Sequence, residues 1–241
     1  VTALMAALCG WWLQPAGWRQ RLRAHAPLHG PEALRLWRFG RWLWISNILV
    51  VAFSQLDLLL LNRWASSQDT GHYALALNLA LKAAVLKHTL YTVLLPNVSS
   101  LRSRAQYATY VRRNSRRGLL LCAALLPVFP LARPFVLTVY GEAFAPSVPL
   151  FHLLLAVTLL EIVLDPLLLL AFPLNMPKQI AISNGLRVIA LLLMANFAIP
   201  AFGGAGAAVA KLAAYLLSAI FLGVIVLRRS RKEDFDNSPG P

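Results

Sequence analysis

The chain has 241 residues, 59% hydrophobic and only 13% charged, with a mean hydropathy of +0.63. Ordinary soluble domains carry about 25% charged residues, so this composition excludes one and points to the bilayer. The net charge of +14 would suggest nucleic acid in a soluble protein. Here the charges fall between long apolar runs, which excludes a basic nucleic-acid-binding domain and fits loops at a membrane surface.

A bilayer core without water forces backbone groups to pair within each segment, so helices of about 20 apolar residues are expected. A β-barrel would show alternating segments of roughly 10 residues, and none are present. The fold class that follows is all-α, a polytopic transmembrane bundle with about six complete spans.

In chain order, Val1 to Leu13 is apolar and lacks a charged leader, so residues 1–13 read as the end of a preceding span rather than a signal peptide. Residues 14–38 form a basic connector, broken by Pro15, Pro27 and Pro31 and holding Arg19, Arg21, Arg23, Arg35 and Arg38 among tryptophans. Residues 39–227 hold the six-helix lobe. Its spans are expected at Phe39–Leu61, Gly71–Leu95 (stopping at Pro96), Gly118–Val139, Val148–Phe172, Lys178–Ile199 and Gly206–Leu227. A second basic segment, Leu101–Arg117, separates the second and third spans. Residues 228–241 form a polar tail without fixed structure. Pro127, Pro130 and Pro134 predict a break or kink in the third span, and Asp165-Pro166 an irregularity in the fourth.

Threading six spans puts both basic segments and the basic tail on one side. The opposite connections, Asn62–Thr70, Tyr140–Ser147 and Pro200–Ala205, contain Arg63 as their only Lys or Arg. The positive-inside rule then orients the C-terminus to the cytoplasm of an inner membrane. Cys9 and Cys122 are far apart in apolar stretches and support neither a disulfide framework nor a metal site.

Ionisable residues remain inside the spans: Asp57, Lys82, Lys87, Arg133, Glu161, Asp165, Arg187 and Lys211. Each costs from roughly 2.5 kcal/mol upward at mid-bilayer, so each should face a bundle interior or a water-filled cavity. Lys82 and Arg187 lie about 14–16 Å into their spans, near the midplane. Lys87 is nearer the cytoplasmic end and can snorkel to the headgroups. It points about 140° away from Lys82. Asn78, Lys82 and Thr89 share a helix face, as do Thr158, Glu161 and Asp165, then Ser183 and Arg187, then Lys211, Tyr215 and Ser218. Asp57 and Arg133 lie near external ends, where anchoring or capping competes with function. Two readings stay open for the rest. Glu161 and Asp165 can pair with Arg187 as buried structure, or the excess of cations can line a cavity for an anionic passenger.

Several stretches resemble the C-terminal half of the polysaccharide-biosynthesis and O-antigen flippases, relatives of the multidrug and toxin extrusion transporters. They are Leu34–Leu49 (LRLWRFGRWLWISNIL), Gln55–Leu77 (QLDLLLLNRWASSQDTGHYALAL, with Asp57, Gly71, Tyr73 and Ala76), Leu95–Leu101 (LPNVSSL), Tyr140–Phe144 (YGEAF) and Ile199–Ala208 (IPAFGGAGAA). Asn62 departs from the Gly common at its position in that family. The resemblance implies one lobe of a two-lobed bundle around a cavity that opens alternately to each face. It also implies a lipid-linked oligosaccharide with an anionic pyrophosphate as passenger, membrane lipids as surroundings, and a coupling ion, H+ or Na+. On this reading Lys82 and Arg187 bind substrate, with Lys211 a weaker candidate. Asp57, Glu161 and Asp165 serve ion coupling or a structural pair. The alternatives are an extruder of drugs or small cations, which should prefer acidic residues, and a membrane enzyme acting on lipid-linked sugars. The enzyme should show a large external loop with catalytic groups, whereas all three external connections are short. No catalytic arrangement, no metal-ligand pattern and no tight cofactor is expected.

Overall fold

The computed structural model describes residues 30–99, 101 and 103–236. The span end expected at 1–13 and the connector up to residue 29 lie outside the described residues. The chain divides into two compact units, Val1–Arg41 and Trp42–Pro241. Of the first, the described residues 30–41 are helical throughout.

Among the described residues the fold is all-α, without strands. Helix α1 spans Gly30–Trp64 and α2 spans Ser67–Ser99. Pro96 does not end α2; so close to the terminus it removes one backbone bond without stopping the last turn. Helix α3, Arg104–Leu125, starts at a capping box: Ser103 Oγ accepts from the Gln106 N–H, and Gln106 Oε1 accepts from the Ser103 N–H. It joins the second basic segment to the first half of the expected third span. Helix α4, Val128–Tyr140, continues that span after a bend of 41° at Leu126 and Pro127, where the proline cluster predicted a break. Gly141 (φ 86°) ends α4, and a short 3-10 turn leads into α5, Ser147–Leu168. Three residues past Pro166 the helix tightens into a 3-10 turn at Leu169–Ala171, the irregularity expected there.

Helix α6, Pro177–Asp236, is one helical run broken at Gly203 (φ 53°, ψ −130°), a conformation that side chains with a Cβ resist. Its two arms, 177–202 and 204–236, run back antiparallel. Ser183 Oγ donates to Ser218 O at 3.0 Å, and Arg187 Nε donates to Ser218 Oγ at 3.0 Å. The arms approach so closely at the turn that a Cβ on Gly206 would sit 2.0 Å from Ala198 O. These arms cover the stretches expected as the fifth and sixth spans, joined within the expected connection at 200–205. The second arm stays helical to Asp236, through the first part of the expected tail.

By length and apolarity three helical stretches can cross a membrane, 37–64, 147–171 and 177–230, or four if the bent α3–α4 pair is one span. That is fewer than the six expected, for two reasons. The 177–230 stretch holds two expected spans folded at Gly203. Helix α2 carries Asn78, Lys82, Lys87 and His88, which lower its apolarity. The chain is a multi-pass membrane protein. Large apolar side chains exposed on α4 and α6, among them Leu131, Phe135, Leu193, Phe197 and Ile220, fit contact with lipid.

Helix α5 is the hub and packs against α2, α3, α4 and α6. Its sequence is apolar on all sides apart from Ser147, His152, Thr158, Glu161 and Asp165, the composition of a buried helix. Two apolar cores form along it. One gathers Phe53, Leu61, Tyr73, Phe151, Leu155, Leu191 and Ile199 toward the turn end of α6. The other gathers Leu94, Val98, Tyr107, Leu170 and Val226 toward the basic end. Lys87, Glu161, Asp165 and Arg187 fall between them.

Candidate functional site

The layer between the two cores encloses a cavity of about 510 Å³. Helix α1 contributes Ser46 and Asn47, α2 contributes Lys87, and α5 contributes Glu161 and Asp165. The first arm of α6 contributes Ser183, Asn184 and Arg187. Helical spacing explains the α5 and α6 members, since residues four apart lie one above the other on a single face.

Lys87 Nζ donates to Glu161 Oε2 at 2.6 Å, joining α2 to α5 across the cavity wall. This corrects the expectation that Lys87 snorkels away. The partner of Glu161 is this lysine rather than Arg187, whose guanidinium is taken up by Ser218, Phe53 and Tyr215. Asp165, one turn below, lies within electrostatic reach of Glu161, Lys87 and Arg187. Arg187 is held in place on three sides. Ser218 Oγ accepts from its Nε, and its guanidinium stacks 5.2 Å from the Phe53 ring and 4.9 Å from the Tyr215 ring. Such stacking suits the planar, weakly hydrated guanidinium and leaves its outer edge for a ligand. Asn184 Nδ2 donates to Ser46 Oγ at 2.7 Å and closes the wall toward α1. The ionisable side chains lining the cavity, Lys87 and Arg187 against Glu161 and Asp165, sum to zero formal charge. Its cations therefore do not stand in excess, as the span composition had suggested.

A second charged cluster lies nearer the turn end. Asp57 is fully buried. Its Oδ2 accepts from Lys211 Nζ at 2.7 Å and from the Tyr73 hydroxyl, and Lys211 also reaches Ser54 O at 3.4 Å. Asp57 Oδ1 has no hydrogen-bond partner among the described residues. The cluster ties α1, α2 and the second arm of α6 together. Counting at 1.5 Å per residue from the helix ends on the side of the Gly203 turn, Asp57 and Lys211 sit about 10–12 Å deep; Lys87, Glu161 and Arg187 sit about 21–30 Å deep. Phe53 spans the interval, with Arg187 over its ring at 5.2 Å and Lys211 at 5.6 Å.

Of the sequence-derived candidates, the structure thus brings Arg187, Glu161 and Asp165 into one cavity and pairs Asp57 with Lys211 in another place. Lys82 belongs to neither. It lies exposed on α2, as do Asn78 and Thr89 on the same face, and Arg133 is exposed on α4. Sequence reasoning missed Lys87 as a cavity residue, Tyr73 as a partner of Asp57, and the contributions of Ser46, Asn47 and Asn184. The one available signal was Asn184 beside Ser183, on the Arg187 face. His72 and His152 are each held by a backbone carbonyl, Ala143 O at 3.0 Å and Phe129 O at 2.9 Å. Among the described residues no group of three His, Cys, Asp or Glu could hold a metal ion.

Comparison with known proteins adds a family. Residues 1–149 match the family described as polysaccharide biosynthesis protein. The match covers Asp57, Lys82 and Lys87 and ends before Glu161, Asp165, Arg187 and Lys211. No curated protein and no solved structure matches the chain. With well over half of its length matched, the chain belongs to the polysaccharide biosynthesis protein family.

Proposed function

We propose that this chain is the C-terminal lobe of a flippase that turns lipid-linked oligosaccharide or polysaccharide precursors across the cytoplasmic membrane. It works by alternating access and performs no chemical step. Its basic end and C-terminus face the cytoplasm, and a second lobe of similar build completes a central passage.

One observation supports this most. Lys82 stands midway along α2, about 22 Å from Ser67 and about 25 Å from Ser99. It is exposed, and no hydrogen bond or ion pair joins it to another described residue. Asn78 and Thr89 extend the same face but satisfy themselves on their own helix, at Ala74 O and Val85 O. A lysine without a partner at that depth is too costly against lipid. The face therefore belongs against a wet passage, where an ammonium suits the phosphates of an anionic passenger. Arg187 offers a second, stacked cation from inside the lobe. The cavity carboxylates Glu161 and Asp165 would favour the small-cation extruder instead. Each, however, faces a resident cation, which leaves no net negative charge to attract one.

The experiment is export of lipid-linked oligosaccharide in cells lacking their own flippase. The full-length gene product is supplied with and without Lys82→Ala and Arg187→Ala. Restored export that each substitution abolishes at normal protein levels supports the proposal. Export unaffected by either substitution removes these residues from the passage. No export with any lipid-linked donor removes the flippase reading.

A further inference from the structure

Helix α3 changes character at one residue. From Arg104 to Arg117 it holds five arginines, from Gly118 onward it is apolar, and nowhere does it contain Asp or Glu. Its rotation is set by α5: Ser115 Oγ donates to Val163 O at 3.2 Å, Cys122 Sγ approaches Leu159 O at 3.5 Å, and a Cβ on Gly118 would meet Ile162 O at 2.9 Å. With residues 115, 118 and 122 turned to α5, the opposite face carries Thr109, Arg113 and Arg117, then Leu120 and Ala124 one and two turns further.

That face opens into a groove of about 600 Å³ lined by Gln106, Thr109, Tyr110, Arg113, Asn114 and Arg117. Arg113 and Arg117 are exposed, and among the described residues neither pairs with a carboxylate. Like charges four residues apart on a helix repel unless an anion lies between them. Below them Leu120 is 64% exposed and Ala124 is exposed as well. The stripe thus runs from two neighbouring exposed arginines to bare apolar surface.

We propose that this groove binds an anionic phospholipid. Arg113 and Arg117 clamp the headgroup phosphate, with Arg117 steadied by Asn114 Oδ1, which accepts from its Nη1 at 3.5 Å; Thr109 hydrogen-bonds the phosphate oxygens, and an acyl chain lies along Leu120 and Ala124. Guanidinium forks match phosphate oxygens in pairs, and basic pockets at the cytoplasmic ends of membrane helices select such headgroups. The apolar continuation favours a lipid over free phosphate. The site is separate from the cavity between the two cores.

The probe is phosphatidylglycerol against phosphatidylcholine, titrated into the purified full-length gene product in neutral detergent, with bound lipid counted by native mass spectrometry. The wild-type protein should retain phosphatidylglycerol selectively. The double variant Arg113→Gln/Arg117→Gln should lose that selectivity by about tenfold or more. Arg112→Gln/Arg116→Gln removes the same charge from the flank of the helix and should keep it within about twofold. Leu120→Asn should weaken lipid retention while both arginines remain. Equal losses in the two double variants would reduce the effect to diffuse charge and overturn the site. Displacement by millimolar inorganic phosphate with no effect of Leu120→Asn would assign the groove to free phosphate. Displacement by a lipid-linked pyrophosphate in preference to phosphatidylglycerol would make it a substrate dock. Either result refutes the proposal.

Discussion

Replacing Lys211 with methionine keeps the length of the side chain and removes its charge. In the native protein Asp57 is fully buried, and its charge is balanced by Lys211 Nζ at 2.7 Å and by the Tyr73 hydroxyl. Its second oxygen has no hydrogen-bond partner among the described residues, so nothing there takes over when the lysine is lost. Removing one member of a buried pair costs about 3–5 kcal/mol, because the other charge stays desolvated. At roughly 2–4 °C per kcal/mol for a chain of this size, the midpoint should fall by about 6–20 °C. The assay is thermal loss of the monodisperse peak in detergent, read by fluorescence. The double variant Asp57→Asn/Lys211→Met should recover most of the loss, since replacing both members of a pair with uncharged groups is often close to neutral. A Lys211→Met variant as stable as wild type, or a double variant less stable than either single one, would refute the view that this ion pair holds α1 and α2 to the second arm of α6.

Glu161→Gln leaves Lys87 without its carboxylate, but in a partly exposed cavity where water can substitute. The loss should be smaller, about 1–3 kcal/mol in the same thermal assay, and Lys87→Met should relieve it. Gly206→Ala should cost most of the folded yield, because its Cβ would sit 2.0 Å from Ala198 O and force the arms of α6 apart. Gly223→Ala is the matched control. Its Cβ would meet Leu167 Cδ2 at an ordinary 3.7 Å, and peak height in size-exclusion chromatography should stay unchanged.

What could be read from the sequence follows from what a single helix reveals about itself. Apolarity located α1, α5 and both arms of α6. Prolines located the bend between α3 and α4 and the 3-10 turn after α5. The connection expected at Pro200–Ala205 contains the turn at Gly203. Periodicity grouped Lys211, Tyr215 and Ser218 correctly, and all three are buried. It also grouped Asn78, Lys82 and Thr89, all of which are exposed. Pro96 misled because a proline near a helix end costs too little to stop the last turn.

Partnership between helices is a different kind of information. Lys87 meets Glu161 across 74 residues of chain, Ser46 meets Asn184 across 138, and Asp57 meets Lys211 across 154. Periodicity says which residues share a face and is silent on which faces meet. Total charge misled for the same reason. Cations outnumber carboxylates in the spans, yet the fold pairs Lys87 and Lys211 with acids on neighbouring helices. What remains is Arg187, whose guanidinium is stacked on two rings, Lys82, which is exposed with no described partner, and Arg133, exposed near the expected external end. On the proposed function, pairing sorts the positive charge of the spans into structural cations and leaves Lys82 and Arg187 for the passage. That sorting is why the substitutions at Lys82 and Arg187 should act on transport, whereas those at Lys211 and Glu161 should act on stability.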